Sequence, residues 1–232
     1  PPPPAPHPNR TKALRVLRGV RGPLDEARAA RLLELYGVRR PKERTVDTPE
    51  QAARGARAIG FPVVVKAVAP EIPHKASLGG VRLGLATPEQ VEAAAADVLG
   101  AAKRAGAKRP KVLIQRMVPG AEVLVGAVVD ERYGAAVTIR RGGAVAEAGE
   151  ARFVAAPLSR KQAVRFVEEE AAGCRLDPGA HDLPAVAGAV EAVARAAHDL
   201  RGRLVSLEAN PLMVTGHGAI AVDALAEARP SA

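Results

Sequence analysis

Apolar residues recur along this chain with two spacings, one typical of helices and one typical of strands. Residues 24–38 place apolar side chains three and four positions apart after an acidic start, which predicts an amphipathic helix. The same pattern predicts further helices over residues 48–60, 88–105, 159–172 and 184–200. Apolar runs rich in β-branched residues predict strands over residues 61–68, 81–86, 111–118, 121–130, 135–140, 204–214 and 219–228. Because helices and strands are interleaved, we expect an α+β fold.

The first 22 residues differ in composition from the rest of the chain. They contain five basic residues and no acidic residue. We see no sustained apolar face there, so we predict a flexible tail or linker over residues 1–22 and a folded region over residues 23–232. A basic arm that touches an acidic partner and a linker between fused domains are the two interpretations of this segment.

Composition and charge exclude several classes of protein. The 232 residues include 34 basic and 25 acidic side chains, a formal net charge of +9. With three Phe, two Tyr and no Trp, the chain lacks the aromatic platforms on which nucleic-acid readers stack bases, and nucleic-acid binding would depend on charge alone. The single cysteine, Cys174, excludes a disulfide framework and a Cys-rich zinc site. No apolar run approaches the roughly 20 residues that span a bilayer, so we expect a cytoplasmic protein.

Lys66 and the loop after its strand carry the first candidate chemistry. Lys66 lies among apolar strand residues, where an ammonium is costly unless it meets an anion. It either contacts a phosphate or extends to solvent from an edge strand.

The loop after this strand carries further candidate residues. Residues 70–80 contain two prolines and the Gly79–Gly80 pair, which predicts a loop with His74 and Lys75 at its middle. Paired glycines let backbone N–H groups approach phosphate oxygens, and a plain surface loop is the alternative.

A candidate metal site lies near the end of the chain. Glu208 and Asn210 are two residues apart on a predicted strand, so their side chains face the same side. Asp223 follows across a short hairpin, where it is placed to meet Asn210. Amide and carboxylate oxygens are hard ligands, and Mg²⁺ takes one or two of them while keeping phosphate and water oxygens. Turn chemistry around Asn210–Pro211, with a solvated Asp223, is the alternative interpretation.

A second glycine pair, at residues 142–143, follows a predicted strand. Arg140 and Arg141 precede it and Glu147 follows it. It predicts either another loop that approaches phosphate or an ordinary hairpin turn. Taken with Lys66, the first glycine pair and the oxygen ligands, it favours a magnesium–nucleoside triphosphate site. The chain has no GxxxxGK[ST] sequence, so a P-loop is excluded.

Several segments, in the family's order, resemble the ATP-grasp (β-type) portion of ADP-forming acyl-CoA synthetases, the nucleoside-diphosphate-forming acetate–CoA ligases. The β subunit of succinyl-CoA synthetase is similar at a greater distance. The segments are LYGVRRPKE, IGFPVVVKAVAPEIPHKASLGGVRLGL, IQRMVPGAEVLVGAVVDERYG, GGAVAE, FVAAPLS, and LEANPLMV with the later AIAVDA. They extend over residues 24–228, and HKxxxGGV together with ExNPL and VDA is a specific combination.

The resemblance implies a two-lobed ATP-grasp fold with the nucleotide bound between the lobes. It implies a lid lobe over residues 46–116 and a larger lobe formed by residues 24–45 and 117–230. Glu208 would orient a phosphohistidine, and His74 matches the loop histidine proposed in this family to relay the phosphoryl group. The remaining implied roles are phosphate contacts at Lys66, Lys75, Gly79 and Gly80, an adenine-facing hinge at Gln115, Met117 and Val118, a ribose contact at Glu122, and Mg²⁺ ligands at Asn210 and Asp223.

The implied activity is to bind MgATP and transfer its γ-phosphoryl group through phosphohistidine, supporting acyl-CoA formation from a carboxylic acid and CoA. The CoA-binding and ligase domains of the family do not fit within these residues. We therefore expect an α-type partner subunit or fused domain that carries the primary phosphohistidine, in a hetero-oligomer, with no nucleic-acid or membrane partner. The alternative is a non-catalytic, ligand-sensing ATP-grasp module of an acyltransferase-type fusion protein.

One departure from the family's pattern concerns the second glycine pair. The family usually carries small residues before it, as in GLGG, whereas this chain has Arg140 and Arg141 there. The extra cations either grip a phosphate or an incoming loop, or crowd the site.

Overall fold

The computed structural model describes residues 5–69, 79–142 and 151–229, and the chain divides into two compact units. The larger unit comprises Pro1–Arg40 and Pro119–Ala232, and the smaller unit is Pro41–Val118. The helices are α1 (Arg10–Val16), α2 (Glu26–Leu35), α3 (Pro49–Ile59), α4 (Pro88–Arg104), α5 (Arg160–Glu170) and α6 (Leu183–Asp199). The strands are β1 (Gly22–Pro23), β2 (Glu43–Val46), β3 (Val63–Val68), β4 (Val81–Leu85), β5 (Lys111–Arg116), β6 (Ala121–Asp130), β7 (Gly134–Arg141), β8 (Val154–Ala155), β9 (Leu204–Thr215), β10 (Gly218–Ala221) and β11 (Ala224–Ala228). Within the described ranges, no helix is long and apolar enough to cross a membrane.

The smaller unit is an antiparallel sheet of four strands, in the order β2-β5-β3-β4, packed on α3 and α4. Both helices begin at the threonines that precede a proline, because the Thr48 and Thr87 hydroxyls accept the N–H groups of Gln51 and Gln90. α3 ends at Gly60, whose φ of 91° favours glycine. The strand side chains in the core beneath these helices are Val46, Val63, Val65, Ala67, Val112 and Ile114.

The larger unit is built on a seven-stranded antiparallel sheet. The main path is β1-β11-β9-β6-β7-β8, and β10 pairs with the end of β9. Alternate strand residues join the side chains of α1, α2, α5 and α6 in one aliphatic core. On the three central strands these residues are Val123, Val125, Ala127 and Val129 of β6, Ala135, Val137 and Ile139 of β7, and Leu207, Ala209, Leu212 and Val214 of β9.

The prediction of a flexible tail over residues 1–22 is wrong for its second half. Residues 10–16 form α1, and Ala13 and Leu17 are fully buried in the core of the larger unit. These two apolar residues are four positions apart and share one side of the helix, a short periodicity that the sequence analysis overlooked. Gly22 and Pro23 then pair with β11 as an edge strand.

Polar contacts fix this N-terminal segment to the end of α6. The carboxylate of Asp199 accepts the His7 backbone N–H at 2.9 Å and the Tyr36 hydroxyl at 3.3 Å. The Arg10 Nε donates to the Asp199 carbonyl oxygen at 3.0 Å. At least one of the basic residues of this segment, Arg10, therefore binds the larger unit instead of extending into solvent.

Two predicted boundaries also change. Residues 41–45 and 117–118 were expected in the larger lobe but belong to the smaller unit, where β2 pairs with β5 and the Met117 N–H donates to the Pro62 carbonyl oxygen. β2 was not predicted, since three of its four residues are exposed and its sequence has no apolar run. The strand predicted over residues 219–228 is two strands, β10 and β11, interrupted at Val222–Asp223.

Candidate functional site

Lys66 and Gln115 lie on the face of the smaller sheet opposite α3 and α4. Val65 pairs with Ile114 in the helix-facing core, so the alternate residues Lys66 and Gln115 point to the other face. Lys66 is 6% exposed and Gln115 is 1% exposed. β3 lies between β5 and β4. The interpretation of Lys66 as an edge-strand lysine that extends to solvent is therefore wrong.

The end of β5 is held by neighbouring polar contacts. The Gln115 Nε2 donates to the Glu43 Oε2 at 2.7 Å. The Met117 N–H donates to the Pro62 carbonyl oxygen at 3.1 Å. Met117 and Val118 are half-buried and are the last two residues of the smaller unit. This segment therefore offers aliphatic surface and backbone groups directly after a buried amide.

The first glycine pair leads directly into the strand beside Lys66. The Gly80 carbonyl oxygen accepts the Ala67 N–H at 2.7 Å, and the next residue, Val81, pairs with Lys66. Gly79 has a φ of 68°, a conformation that favours glycine. His74 and Lys75 lie outside the described residues, so the structure says nothing about their predicted roles.

Asn210 and Asp223 meet at the break between β10 and β11. The Asn210 N–H donates to the Asp223 carbonyl oxygen at 3.2 Å, and both residues are half-buried. The Asp223 Oδ1 accepts the Ala224 N–H at 2.9 Å. In the described ranges no three His, Cys, Asp or Glu side chains cluster as a metal site. One amide and one carboxylate still fit Mg²⁺, which binds few protein oxygens and keeps phosphate and water oxygens.

Glu208 lies on the same sheet, on the face opposite the core. It pairs with Gly126 on one side and Leu225 on the other. A Cβ atom added to Gly126 would lie 3.2 Å from the Glu208 Cγ, so the glycine leaves room for this side chain. Burial raises the pKa of the Glu208 carboxyl, and the positive charge of Arg140 acts in the opposite direction.

Glu122 is placed differently from the other predicted residues of the larger unit. It is exposed near the start of β6, where it pairs with Met213, and its carbonyl oxygen accepts the Gly142 N–H at 2.9 Å. Gly142, the first glycine of the second pair, packs directly on the backbone of β6, because an added Cβ would lie 2.7 Å from the Val123 carbonyl carbon. Close packing of two strands therefore explains Gly142, and the two arginines before it belong to β7. Gly143 and Glu147 lie outside the described residues.

Each unit thus brings together a group of the predicted residues. In the smaller unit, Lys66 and Gln115 share a face; Gly79 and Gly80 precede β4, which pairs with the Lys66 strand, and Met117 and Val118 follow the Gln115 strand. In the larger unit, Glu208 and Asn210 lie on β9, and Asp223 meets Asn210 directly before β11. Glu43, Gly126 and Thr138 also lie beside these residues, and no local sequence signal indicates them, because their proximity depends on strand register.

A family model described as an ATP-grasp domain matches residues 15–227. The chain therefore belongs to the ATP-grasp family, and the predicted α+β ATP-grasp fold is confirmed. The matched region begins at residue 15, within the segment that was predicted to be a flexible tail.

Several relatives place the chain more narrowly within this family. The β subunit of acetate–CoA ligase [ADP-forming] I from Pyrococcus furiosus is 32% identical over 210 residues, 87% of this chain and 90% of that protein. The corresponding β subunit of ligase II from the same organism is 30% identical over 228 residues, 92% of this chain and 96% of that protein. The 4-hydroxybutyrate–CoA ligase [ADP-forming] of Nitrosopumilus maritimus is 31% identical over 163 residues, 67% of this chain and 23% of that protein.

Solved structures give the same result. The dinucleotide-forming acetyl-coenzyme A synthetase 1 of Ca. Korarchaeum cryptofilum, in complex with coenzyme A and Ca-AMPCP, matches with a TM-score of 0.84 at 28% identity, over 95% of this chain and 100% of that chain. A second structure of that enzyme contains coenzyme A and Mg-AMPPCP, with its phosphohistidine segment pointing towards the nucleotide binding site; its TM-score is 0.77 at 26% identity, over the same shares of both chains. The resemblance to ADP-forming acyl-CoA synthetases is therefore confirmed.

Proposed function

We propose that this chain is the nucleotide-binding part of an ADP-forming acyl-CoA synthetase. It binds MgATP and passes the γ-phosphoryl group through phosphohistidine, which supports acyl-CoA formation from a carboxylic acid and CoA. The observation that carries this proposal is the juxtaposition of Glu208 and Asn210 on β9 with Asp223, which lies directly before β11. The match to β subunits of ADP-forming ligases over 90% or more of their length supports it.

In the larger unit, Asn210 and Asp223 would hold Mg²⁺ through one side-chain oxygen each. The Asp223 Oδ1 is already fixed by the Ala224 N–H, which limits the orientations of the carboxylate. Mg²⁺ bound there would neutralise charge on the terminal phosphates, on which phosphoryl transfer depends. Glu208, two residues from Asn210, would accept a hydrogen bond from the imidazole of a phosphohistidine, and Glu122 would contact the ribose.

In the smaller unit, the buried ammonium of Lys66 would contact the nucleotide phosphates, with Gly79 and Gly80 beside it. The Lys66 side chain is only 6% exposed, so its neighbours restrict its rotamers. It would therefore lose little conformational entropy when it binds phosphate. Adenine would lie against Met117 and Val118 and meet the polar end of Gln115. Lys75, in the same loop as the glycine pair, is assigned a phosphate contact on the resemblance alone.

Phosphoryl relay would use His74 or a partner histidine. A neutral imidazole nitrogen attacks the γ-phosphorus, the bond to the β–γ bridging oxygen breaks, and ADP leaves with that electron pair. The α-type partner subunit or fused domain would supply the primary phosphohistidine and the CoA site. The chain is therefore proposed to complete an acid–thiol ligase only together with that partner.

Transfer of radioactive phosphoryl from γ-labelled MgATP tests this function. The chain is incubated with and without its CoA-binding partner, and the protein is assayed for acid-labile, base-stable label. We expect label on the complex. Bound MgATP with no label on the complex would overturn the synthetase function and identify a ligand-sensing module instead.

The acceptor is then located by substitution. His74→Ala is compared with His217→Ala, a matched control at an exposed hairpin turn between β9 and β10. Loss of label in His74→Ala alone assigns the relay to His74. Full label in His74→Ala would assign the acceptor to the partner histidine and overturn the role given to His74.

A further inference from the structure

β7 presents two polar side chains on the face of the larger sheet that carries Glu208. Thr138 pairs with Gly126, and Gly126 pairs in turn with Glu208. Arg140, two residues further along β7, pairs with Leu124. Because directly paired residues share a face, Thr138, Arg140 and Glu208 all project on the side opposite the core. Thr138 and Glu208 are two strand spacings, about 10 Å, apart.

Both β7 side chains carry a buried polar atom for which the described residues provide no hydrogen-bond partner. These atoms are the Thr138 Oγ1 and the Arg140 Nε. Thr138 is only 5% exposed, so solvent does not replace the missing partner. A buried donor without an acceptor destabilises the fold by as much as a lost hydrogen bond. Two such atoms, two residues apart on one face, indicate a ligand that brings acceptor oxygens to this place.

The charge of the Arg140 side chain indicates the chemical class of that ligand. The guanidinium of Arg140 and the hydroxyl of Thr138 offer a cation and a neutral donor, a combination suited to an anionic, oxygen-rich group such as a phosphoryl group. The carboxylate of Glu208 on the same face would repel such a group if no cation lay nearby. Arg140 supplies that cation.

The distance between Arg140 and the proposed metal ligand Asn210 indicates that the anionic group is a phosphoryl group of the nucleotide. β9 has an extra residue opposite β6, so that Asn210 and Pro211 together lie opposite Leu124. Leu124 has Arg140 on its other side. Arg140 and Asn210 therefore flank the same residue of β6, within about 10 Å of each other, a separation that the terminal phosphates of a nucleotide and a long side chain bridge.

We propose that Arg140 and Thr138 bind the terminal phosphoryl group of the nucleotide. This inference rests on the proposed function and adds to it a pair of binding residues that favour the triphosphate over the diphosphate. It also explains one of the two arginines that stand where the family carries small residues before the second glycine pair, because Arg140 is on the face that would meet the phosphoryl group. Arg141 is not on that face, since it pairs with Val123, whose side chain is in the core on the other face.

The test compares the affinities of the full chain for Mg-AMPPCP and for MgADP by calorimetry. Arg140→Gln removes the cation, and Arg141→Gln removes the same charge from the opposite face as a matched control. Thr138→Val removes the hydroxyl at nearly constant volume, so its melting temperature should equal or exceed that of the wild type. We expect about tenfold weaker Mg-AMPPCP binding in Arg140→Gln, a smaller loss in Thr138→Val, and unchanged MgADP binding in both.

The outcomes separate this inference from the function on which it rests. Wild-type protein that binds neither nucleotide would overturn the proposed function and this inference with it. Wild-type protein that binds both, with Mg-AMPPCP affinity unchanged in Arg140→Gln and Thr138→Val, would overturn the inference alone. An equal loss for MgADP would also overturn it, because the residues would then contact a different part of the nucleotide. Should Arg140→Gln fail to fold, Thr138→Val decides the matter.

Discussion

Asp199 should be the strongest single polar determinant of the larger unit's stability. It is the last residue of α6, where a negative charge meets the negative end of the helix dipole, and it is 5% exposed. Its carboxylate is compensated by the His7 N–H at 2.9 Å, the Tyr36 hydroxyl at 3.3 Å and the Arg195 Nε at 3.2 Å. Burial and the nearby Asp199 charge raise the pKa of the Tyr36 hydroxyl, so it remains a donor at neutral pH.

Removing this carboxylate leaves three donors without their acceptor. Hydrogen bonds to a charged group contribute about 1.5–3 kcal/mol each, but solvent and relaxation recover part of that when the partner is lost. Truncating one partner of a buried ion pair costs about 3–5 kcal/mol. Since the Arg195 side chain is 21% exposed, we take the low end and expect Asp199→Ala to lose about 3 kcal/mol. Asp199→Asn keeps one acceptor oxygen and should lose roughly half of that.

Urea denaturation followed by far-UV circular dichroism measures this loss, and limited trypsin digestion locates it. Arg15 and Arg18 are exposed on the N-terminal segment, so its release from Asp199 should speed cleavage there. Glu34→Ala is the matched control, because Glu34 forms an exposed ion pair with Arg31 that contributes little. A loss below about 1 kcal/mol in Asp199→Ala, with no faster cleavage, would refute the reasoning that this cluster holds the N-terminal segment.

Three further changes test the proposed site and the core. Asp223→Asn should weaken Mg-dependent nucleotide binding about tenfold by calorimetry, whereas Glu227→Gln, on the strand that follows Asp223, should not. Unchanged affinity in Asp223→Asn would remove this residue from the metal site. Lys66→Met should weaken MgATP binding at least tenfold, with the exposed Lys111→Met as control, and equal losses would show a bulk charge effect. Burial raises the pKa of the Cys174 thiol to about 11, so a thiol reagent at pH 8 should label it only as the protein unfolds; rapid labelling of folded protein would contradict its burial. Because this folded pKa is raised above its unfolded value, the thiol's contribution to stability is lost as pH rises from about 9 to 11.

Local patterns were enough to predict the elements that carry most of the site. The threonine caps of α3 and α4, the valines around Lys66 and the E-x-N spacing of β9 are all encoded within a few residues. Such features depend on propensity and capping, which act over one or two helical turns or strand residues. This is why the resemblance and the local analysis agree on the same residues.

Other features depend on contacts between distant segments, which one sequence does not encode locally. β2 exists because Glu43–Val46 pairs with β5, and α1 is held by Asp199, 189 residues from Arg10. The neighbours Thr138, Gly126 and Glu208 come from three strands whose register follows from the completed sheet. For the same reason the sequence alone left both interpretations of Arg140 and Arg141 open.

Calorimetric titration of the chain with MgATP tests the central claim most directly, because the proposed function assigns every nucleotide and Mg²⁺ contact to residues of this chain. The proposed function predicts saturable binding of one nucleotide per chain that is lost when Mg²⁺ is chelated. Absence of saturable binding, or binding that is indifferent to Mg²⁺, would contradict the assignment of this ATP-grasp chain as the MgATP-binding part of an acyl-CoA synthetase.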